Sequence, residues 1–341
     1  MQRQSTRGGY LRTLQSGDAA NLRPFADKYP FKPYHYYPGL DQRRLSEYFH
    51  QELCGRLGQG GAYGWVAQDQ IEGVLIFDYL PWDSHIFHLA MAKVDLYVSN
   101  TDYRTASSIA SELLAGIDAP CAEMDVRHLT CKVNTRDMAA AHALEGRSFR
   151  LMDTITIFSL KPDEKSARVA EARTKLRLRE MRDEDLRPLT ALSRAAFTRR
   201  EDIGTRFNSD PWLVDKAGDL YAEWLRNSYG GNQADIVIVA EAEGHPIGFV
   251  TCKMSSEQAD RGIGARIGTI PLNAVDPGYR KLGVYRRLVV KAIDWCRQQG
   301  AEYVEIKTQI HTPGVHRTWQ QMNGKLVSSY HVFHQWRDHQ I

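Results

Sequence analysis

The chain has 341 residues, of which 43% are hydrophobic, 10% aromatic and 25% charged. This composition is typical of a folded soluble protein and excludes a disordered, collagen-like or low-complexity chain. The 44 Lys and Arg residues against 41 Asp and Glu residues give a formal net charge of +3. The chain therefore lacks the basic excess of proteins that bind a nucleic-acid backbone.

No apolar run reaches the length of a membrane span, and the first residues carry no apolar signal core. We therefore expect a cytoplasmic protein without a membrane partner. The five cysteines are widely spaced and include no CxxC pair, which predicts buried apolar residues rather than ligands or disulfides. The histidine spacing predicts no metal site either.

Hydrophobic periodicity predicts a succession of strands and helices in the first half of the chain. The predicted strands lie at 64–79 (two strands around a turn), 93–98, 123–126 and 152–160, and the predicted helices at 105–117 and about 137–145. Prolines interrupt the aromatic run 29–38, which argues against a helix there. Its rings could pack over the first domain or form a wall of an acceptor pocket.

A charged, Ala-rich stretch at 161–175 predicts a linker between two domains, 1–160 and 176–341. In the second half, strands are predicted at 176–181, 235–242, 246–253, 267–275, 303–308 and 327–336, and helices at 182–197, 213–227, 284–299 and 315–322. This order predicts an α/β or α+β fold with helices on the faces of a sheet.

The two halves look like copies of one another. Ala122-Glu123 precedes one predicted strand as Ala301-Glu302 precedes another, and LMDTITIFSL corresponds to LVSSYHVFHQW with Phe158 opposite Phe333. We therefore predict a duplicated domain.

The stretch 273–300 (NAVDPGYRKLGVYRRLVVKAIDWCRQQG) contains the sharpest functional pattern. A predicted strand enters a short loop with Pro and Gly, and a predicted helix begins near Gly283. Backbone N–H groups at a helix start have no intrahelical acceptor, so those of 281–286 could bind a diphosphate, with Arg280 adding a charge-assisted contact. The alternative is a plain strand–loop–helix connection with a solvated basic face.

Arg280-Lys281-Leu282-Gly283-Val284-Tyr285 resembles the acetyl-coenzyme A signature of the GNAT N-acetyltransferase superfamily, Gln/Arg-x-x-Gly-x-Gly/Ala. Tyr285 departs from the small residue at its last position. The resemblance covers about 176–336 and implies two GNAT-like domains, each a mixed, mostly antiparallel sheet flanked by helices. It also implies acetyl-CoA as cosubstrate. The cofactor-binding residues that it implies are Asn273, Ala274, Val275, Arg280, Lys281, Leu282, Gly283, Val284, Tyr285, Arg286 and Trp319.

The resemblance further implies direct transfer of an acyl group to an amine, with a proton donor for the leaving thiolate. Many GNAT enzymes use a Tyr for that role. At the corresponding position this chain has Trp319, whose indole N–H can donate a hydrogen bond but cannot act as a general acid. His334 is the favoured catalytic residue, because an imidazole titrates near neutral pH, although a structural histidine is the alternative. The other candidates for proton transfer are Tyr285, Tyr330, His311, His316 and His331.

The first half carries no such loop and has Asp102 where a diphosphate would lie, so it is predicted to be a degenerate copy without coenzyme. Its Trp82-Asp83-Ser84 stretch is similar to one in the dTDP-fucosamine acetyltransferases and related nucleotide-sugar N-acetyltransferases. That resemblance implies a nucleotide-linked amino sugar as the acceptor. The candidate substrate-binding residues are Asp83, His85, Glu241 and His311.

Two other functions remain open at this point. Tandem GNAT folds also serve aminoacyl-tRNA-dependent transfer, which needs a basic groove that the net charge does not favour. A non-catalytic acyl-CoA sensor is the other alternative, motivated by Trp319. The expected partners are acyl-CoA and a small amine, with a monomer or homodimer as the oligomeric state.

Overall fold

The computed structural model describes residues 8–163, 175–198 and 204–337. Most of the predicted linker 161–175 therefore lies outside the described residues. The strands are β1 Gly9–Thr13, β2 Ala62–Ala67, β3 Gln70–Tyr79, β4 Met91–Val98, β5 His128–Asn134, β6 Arg150–Leu160, β7 Arg177–Glu180, β8 Ile236–Ala242, β9 His245–Met254, β10 Ile267–Thr269, β11 Asn273–Val275, β12 Tyr303–Gln309 and β13 Lys325–Trp336.

The helices lie between these strands, and those at 19–28, 42–54, 81–87, 118–123, 206–209 and 257–263 were not predicted from the hydrophobic patterns. The helices are α1 Ala19–Lys28, α2 Gln42–Cys54, α3 Pro81–Phe87, α4 Tyr103–Ala115, α5 Asp118–Glu123, α6 Met138–Gly146, α7 Leu186–Thr198, α8 Arg206–Ser209, α9 Val214–Tyr229, α10 Glu257–Ile263, α11 Val284–Gln298 and α12 Pro313–Gln321. Among the described residues, none of these helices is both long and apolar enough to cross a membrane.

The chain forms two compact units whose limits differ from the predicted domains. Unit 1 contains the residues up to Thr154, the short stretch Gly262–Gly264 and the chain from Ser329 onward, and unit 2 contains Ile155–Arg261 and Ala265–Ser328. The difference concerns the last strand of each half. Residues 155–160 of β6 pair with β12 in unit 2, and 330–336 of β13 pair with β5 in unit 1. The predicted limits 1–160 and 176–341 stay predictions.

Each unit has a mostly antiparallel sheet with one topology. Unit 1 has the order β1-β2-β3-β4-β5-β13 and unit 2 the order β7-β8-β9-β10-β12-β6. In both, the fourth and fifth strands, β4 with β5 and β10 with β12, run parallel. The predicted fold class is confirmed, and the shared topology is that of a duplicated domain.

A side-chain contact repeats as well. Arg12 Nη1 donates to Asp18 Oδ2 at 2.7 Å in unit 1, and Arg179 Nη2 donates to Asp185 Oδ1 at 2.9 Å in unit 2. Each aspartate also accepts a backbone N–H three residues before it. The pattern Arg-x5-Asp at the first strand of each half is a repeat signal that sequence inspection missed.

Two predicted strands are corrected by the structure. Residues 118–123 form α5 and the strand begins at His128, because Pro120 lies in the first turn of a helix, where its missing N–H costs nothing. The predicted strand 267–275 is divided into β10 and β11 around Pro271, which has no N–H to donate to a ladder. Phe333 lies in the core of unit 1 as predicted, and the aromatic run 29–38 is not helical.

The cysteines have the predicted environment. Cys121, Cys131, Cys252 and Cys296 are buried, Cys54 is half-buried, and all five are free thiols. Cys296 on α11 lies so close to β10 that a Cβ added at Gly268 would stand 2.6 Å from its sulfur. A glycine at that position therefore lets α11 pack tightly on the sheet.

Candidate active site

The central sheet of unit 2 opens where β10 and β12 part. The parallel pairing of these strands ends at Thr269 opposite Glu305, and Ile270 then donates to the Glu305 carbonyl at 3.0 Å. Beyond that point β11 continues along β9. Within the described ranges, β12 has no ladder partner on this side after Glu305, so the two strands leave an opening between them.

The backbone of β11 turns one edge away from β9, towards this opening. Thr251 donates to the Leu272 carbonyl at 2.8 Å, and Asp276 donates to the Ile247 carbonyl at 2.8 Å, so the even-numbered residues bond to β9. Because successive residues of a strand point their N–H and C=O groups to opposite sides, those of Asn273 and Val275 face away from β9. Ala274, by contrast, has its backbone groups turned to β9.

Helix α11 begins without a side-chain cap. Gly283 has φ +87° and is the N-cap residue, a left-handed conformation that glycine adopts at little cost. The first helical hydrogen bond joins the Arg287 N–H to the Gly283 carbonyl at 3.1 Å. The N–H groups of 284–286 precede that bond and have no acceptor within the helix. Arg280 lies on the same turn, where its Nε is 3.4 Å from the Val275 carbonyl.

The equivalent helix of unit 1 starts differently. Asp102 is the N-cap of α4, and its carboxylate accepts the Thr105 N–H at 2.8 Å. The carboxylate thus occupies the position at which an anion would bind, as the sequence predicted for Asp102. The uncapped start of α11 and the capped start of α4 are the main chemical difference between the two helices.

Tyr285 and Trp319 point into the core of unit 2. Trp319 has 0% of its surface exposed, and its Nε1, like the Tyr285 hydroxyl oxygen, is buried without a hydrogen-bond partner. Burial raises the pKa of the Tyr285 phenol well above its usual value, although the nearby Trp319 indole opposes the rise. The large side chain at the last position of the loop motif therefore packs within unit 2. Trp319 has no exposed surface, and its contact with the cofactor stays a prediction.

Glu241 belongs to an ion-pair cluster. Arg179 Nε donates to Glu241 Oε2 at 2.7 Å, and the same guanidinium holds Asp185. The hydrogen bond from Arg179 lowers the pKa of Glu241. Burial opposes ionisation of Asp185, but the Arg179 guanidinium and the Arg182 N–H lower its pKa overall. Glu241 thus has a structural role as an ion-pair partner of Arg179, and this role does not require that Glu241 bind the acceptor substrate.

The other predicted site residues are distributed over both units. His311 is exposed in the turn between β12 and α12 of unit 2, whereas Asp83 and His85 lie on α3 of unit 1. Tyr330 and His334 lie on β13 in unit 1, opposite Asn134 and Thr130 of β5. His334 is 1% exposed, and its role in proton transfer, like that of Tyr330, stays a prediction.

His316 has a structural contact that its sequence position does not reveal. Its Nε2 lies 3.1 Å from the Gln309 carbonyl and 3.2 Å from Thr156 Oγ1. Because a carbonyl only accepts, Nε2 carries the proton, and the imidazole joins the end of β12 to the start of α12.

Comparison with known proteins identifies the fold. Residues 199–324 match the model of the acetyltransferase (GNAT) family. The spore coat polysaccharide biosynthesis protein SpsD of Bacillus subtilis (strain 168) is 22% identical over 277 residues, which are 80% of this chain and 87% of that protein.

Two solved structures share the architecture across the whole chain. A GCN5-related N-acetyltransferase from Sphaerobacter thermophilus is similar with a TM-score of 0.66 at 14% identity, covering 98% of this chain and 97% of that one. A tandem GNAT protein from the clavulanic acid biosynthesis pathway has a TM-score of 0.55 at 12% identity, with 98% and 100% covered. Residues 199–324, which contain β11 and the uncapped start of α11, therefore match the GNAT acetyltransferase family, and the chain as a whole has the fold of the tandem GNAT protein.

Proposed function

We propose that this chain transfers the acetyl group of acetyl-CoA directly to the amine of a small molecule, with a nucleotide-linked amino sugar as the acceptor. The observation that carries the donor assignment is the uncapped start of α11, which follows the free edge of β11 after one short turn. The sugar assignment is supported by the Trp82-Asp83-Ser84 resemblance and by the name of the Bacillus subtilis relative, a polysaccharide biosynthesis protein. The predicted cytoplasmic location is part of the same proposal.

The residues of the loop fit a coenzyme A diphosphate. The N–H groups of 281–286 and the positive end of the α11 dipole favour an anion, and Arg280 adds a formal positive charge nearby. Because Gly283 has no side chain, the diphosphate can reach these N–H groups without steric hindrance at that position. In the proposed complex, the outward backbone groups of Asn273 and Val275 hydrogen-bond the amides of the pantetheine arm, whereas Ala274 completes the strand.

The reaction moves one acyl group and conserves its protons. The neutral amine nitrogen attacks the thioester carbonyl carbon, the C–S bond breaks, and an amide forms. The proton that the nitrogen loses after addition goes to the departing thiolate. An N–H donor of the opened sheet is the group suited to stabilise the developing oxyanion.

One coenzyme per chain is the expected stoichiometry, because the start of α4 is already satisfied by Asp102. Native mass spectrometry of the purified chain with and without acetyl-CoA measures this directly. One adduct per chain supports the proposal, and two adducts contradict the degeneracy of unit 1. No adduct at saturating acetyl-CoA contradicts the donor assignment and favours the tRNA-dependent alternative.

The acceptor class is tested by measuring CoA release with an amine panel. The panel begins with dTDP-fucosamine and includes the corresponding free amino sugars, amino acids and polyamines. Turnover confined to nucleotide-linked sugars supports the proposed acceptor. Preference for a free amine of another class contradicts the sugar assignment while leaving acetyl transfer in place.

A further inference from the structure

The aromatic segment 29–37 of unit 1 contains a buried ammonium group. Lys32 is 7% exposed, and its Nζ donates to the backbone carbonyls of Tyr29 at 2.8 Å and of Asp27 at 3.2 Å. In the described part of the chain, no carboxylate forms an ion pair with it. The Asp27 carboxylate acts on Lys32 only through space and is itself 3.2 Å from Arg23 Nε. A buried charge without a paired counter-charge costs free energy, which makes its surroundings a candidate for function.

His35 connects this lysine to two aromatic rings. Its Nδ1 lies 2.8 Å from the Lys32 carbonyl, and because a carbonyl only accepts, Nδ1 carries the proton. The rings of Phe31 and Tyr36 both stand at 75° to the imidazole, with centroids 5.9 Å and 5.5 Å from its centre. All three rings are half-buried. Each therefore retains exposed surface within four residues of Lys32.

Positive charge is in excess around His35. Burial lowers the pKa of the imidazole, and the charges of Arg136 and Lys32 lower it further, although the hydrogen bond with the Lys32 carbonyl opposes the change. No carboxylate of the described residues contributes to this pKa. Arg136 is exposed in the loop after β5 and, over the ranges that the structure describes, forms no ion pair. Two cations thus act on one imidazole, and no anion offsets them.

The aromatic segment lies on the face of the unit 1 sheet opposite α4. Tyr29 packs in a core cluster with α1 and α2, whereas the buried side of α4 belongs to another cluster. The Tyr29 ring is 5.3 Å from that of Tyr97 on β4, and Tyr97 lies beyond the last parallel pair of β4 and β5, Val94 with Cys131. The segment is therefore anchored where these two strands part, and the helix start that Asp102 caps belongs to the other face.

We propose that Phe31, Lys32, His35, Tyr36 and Arg136, here called the cationic aromatic cluster, bind a nucleoside diphosphate in unit 1. The exposed Arg136 guanidinium donates to the diphosphate. The buried Lys32 ammonium attracts the diphosphate without touching it, because charges act more strongly through a protein interior than through water. The base stacks on the exposed surface of the Phe31 ring. A plain anion would not need the rings, and an apolar ligand would not need the cations.

This inference goes beyond acetyl transfer and does not depend on it. It gives the unit without a predicted coenzyme site a ligand of its own. A free nucleoside diphosphate and a nucleotide-linked sugar, the proposed acceptor class, present the same chemistry to the cluster. The test must therefore separate these two sources.

The first experiment is an isothermal titration of dTDP into the full chain with acetyl-CoA at saturation, so that the start of α11 is already occupied. One dTDP per chain is expected. Arg136→Gln should raise the dissociation constant by about 10-fold or more, because a charged hydrogen bond is lost. This variant should fold, since Arg136 is exposed and only its backbone N–H bonds to Asn134 Oδ1, at 2.9 Å. Arg150→Gln removes the same charge from an exposed position of unit 1 and should bind dTDP like the wild type.

Two further ligands separate the parts of the site. Phe31→Leu should weaken dTDP binding by about 5-fold or more and leave the affinity for inorganic pyrophosphate unchanged, because only dTDP has a base to stack. A dTDP-linked sugar that displaces dTDP identifies the nucleotide sugar as a ligand of the cluster. A dTDP-linked sugar that does not displace it identifies the free nucleoside diphosphate.

The proposal is overturned if the wild type does not bind dTDP or if Arg136→Gln binds it equally well. Equal loss of dTDP and pyrophosphate in Phe31→Leu overturns the stacking of the base. Displacement of dTDP by acetyl-CoA would mean that dTDP occupies the coenzyme site, which also overturns the proposal. If acetyl-CoA itself does not bind, the donor assignment fails, and dTDP binding that depends on Arg136 still supports the cluster.

Discussion

A charge placed at the start of α11 tests the donor site most directly. Gly283→Asp would place a carboxylate at the N-cap, where Asp102 stands on α4 and accepts the Thr105 N–H at 2.8 Å. The new carboxylate would bring a negative charge close to the N–H groups that we assign to the diphosphate, on a left-handed backbone (φ +87°) rather than the extended one of Asp102 (φ −71°). Gly283→Asn is the matched control, because Asn has nearly the same shape, also caps a helix and carries no charge.

The expected size of the effect follows from these contacts. A hydrogen bond to a charged group contributes about 1.5–3 kcal/mol, so losing one such diphosphate contact raises the dissociation constant of acetyl-CoA by about 10–150-fold. In Gly283→Asp, but not in Gly283→Asn, repulsion between the new carboxylate and the diphosphate raises the dissociation constant further. The cost of a side chain at φ +87° is similar in both variants and cancels in their comparison, since Asn and Asp both tolerate this conformation.

Isothermal titration of acetyl-CoA into wild type and both variants measures the difference. A thermal melt of each protein without ligand establishes that the fold is retained. Affinity should fall in the order wild type, Asn, Asp, and raising the salt concentration should narrow the gap between Asn and Asp. Equal affinities for Asn and Asp, or an Asp variant that binds like wild type, would refute the assignment of the diphosphate to α11.

Three other outcomes are expected. Arg179→Met leaves Asp185 and Glu241 without their cation and should lower the free energy of unfolding measured by urea denaturation, whereas Arg226, which pairs with Glu223 on the surface, should tolerate the same change. The pKa values of the Asp185 and Glu241 carboxyls are lowered in the fold, so the two carboxylates stabilise the protein at pH values above their usual pKa values of 3.8 and 4.5. This stabilisation is lost as the pH falls below those values. Urea midpoints measured along an acid series should therefore decrease more in the wild type than in Arg179→Met. Tyr285→Phe should leave kcat unchanged, and the free energy of unfolding should change by less than about 1.5 kcal/mol, because the buried phenol oxygen has at most the Trp319 indole as a hydrogen-bond partner; a loss of turnover would support Tyr285 as the acid.

Local sequence patterns predicted the helix and the preceding loop of the proposed donor site. The helix 284–299 and the loop before it depend on hydrophobic periodicity and on one glycine, and the structure places α11 at Val284–Gln298 after a positive-φ Gly283. The anion-binding character of that loop is a property of backbone groups, which any strand–loop–helix sequence of this type supplies. Asp102 was predictable for the same reason, since Asp before a helical pattern indicates a cap.

Long-range pairings were not predictable from local patterns. Nothing within 150–160 or 325–336 indicates that their ends pair with strands distant in sequence, because alternation specifies a strand but not its partner.

The two units show how one helix start can decide the function of a repeated fold. Both have the same strand order and the same Arg–Asp contact at their first strand. In unit 1, Asp102 satisfies the start of α4 permanently and stabilises the helix by about 1 kcal/mol without any ligand. In unit 2, Gly283 leaves the start of α11 to be satisfied from outside the chain. A ligand that binds there stabilises unit 2 through its own binding free energy, so the same position serves folding in one unit and acetyl-CoA binding in the proposed role of the other.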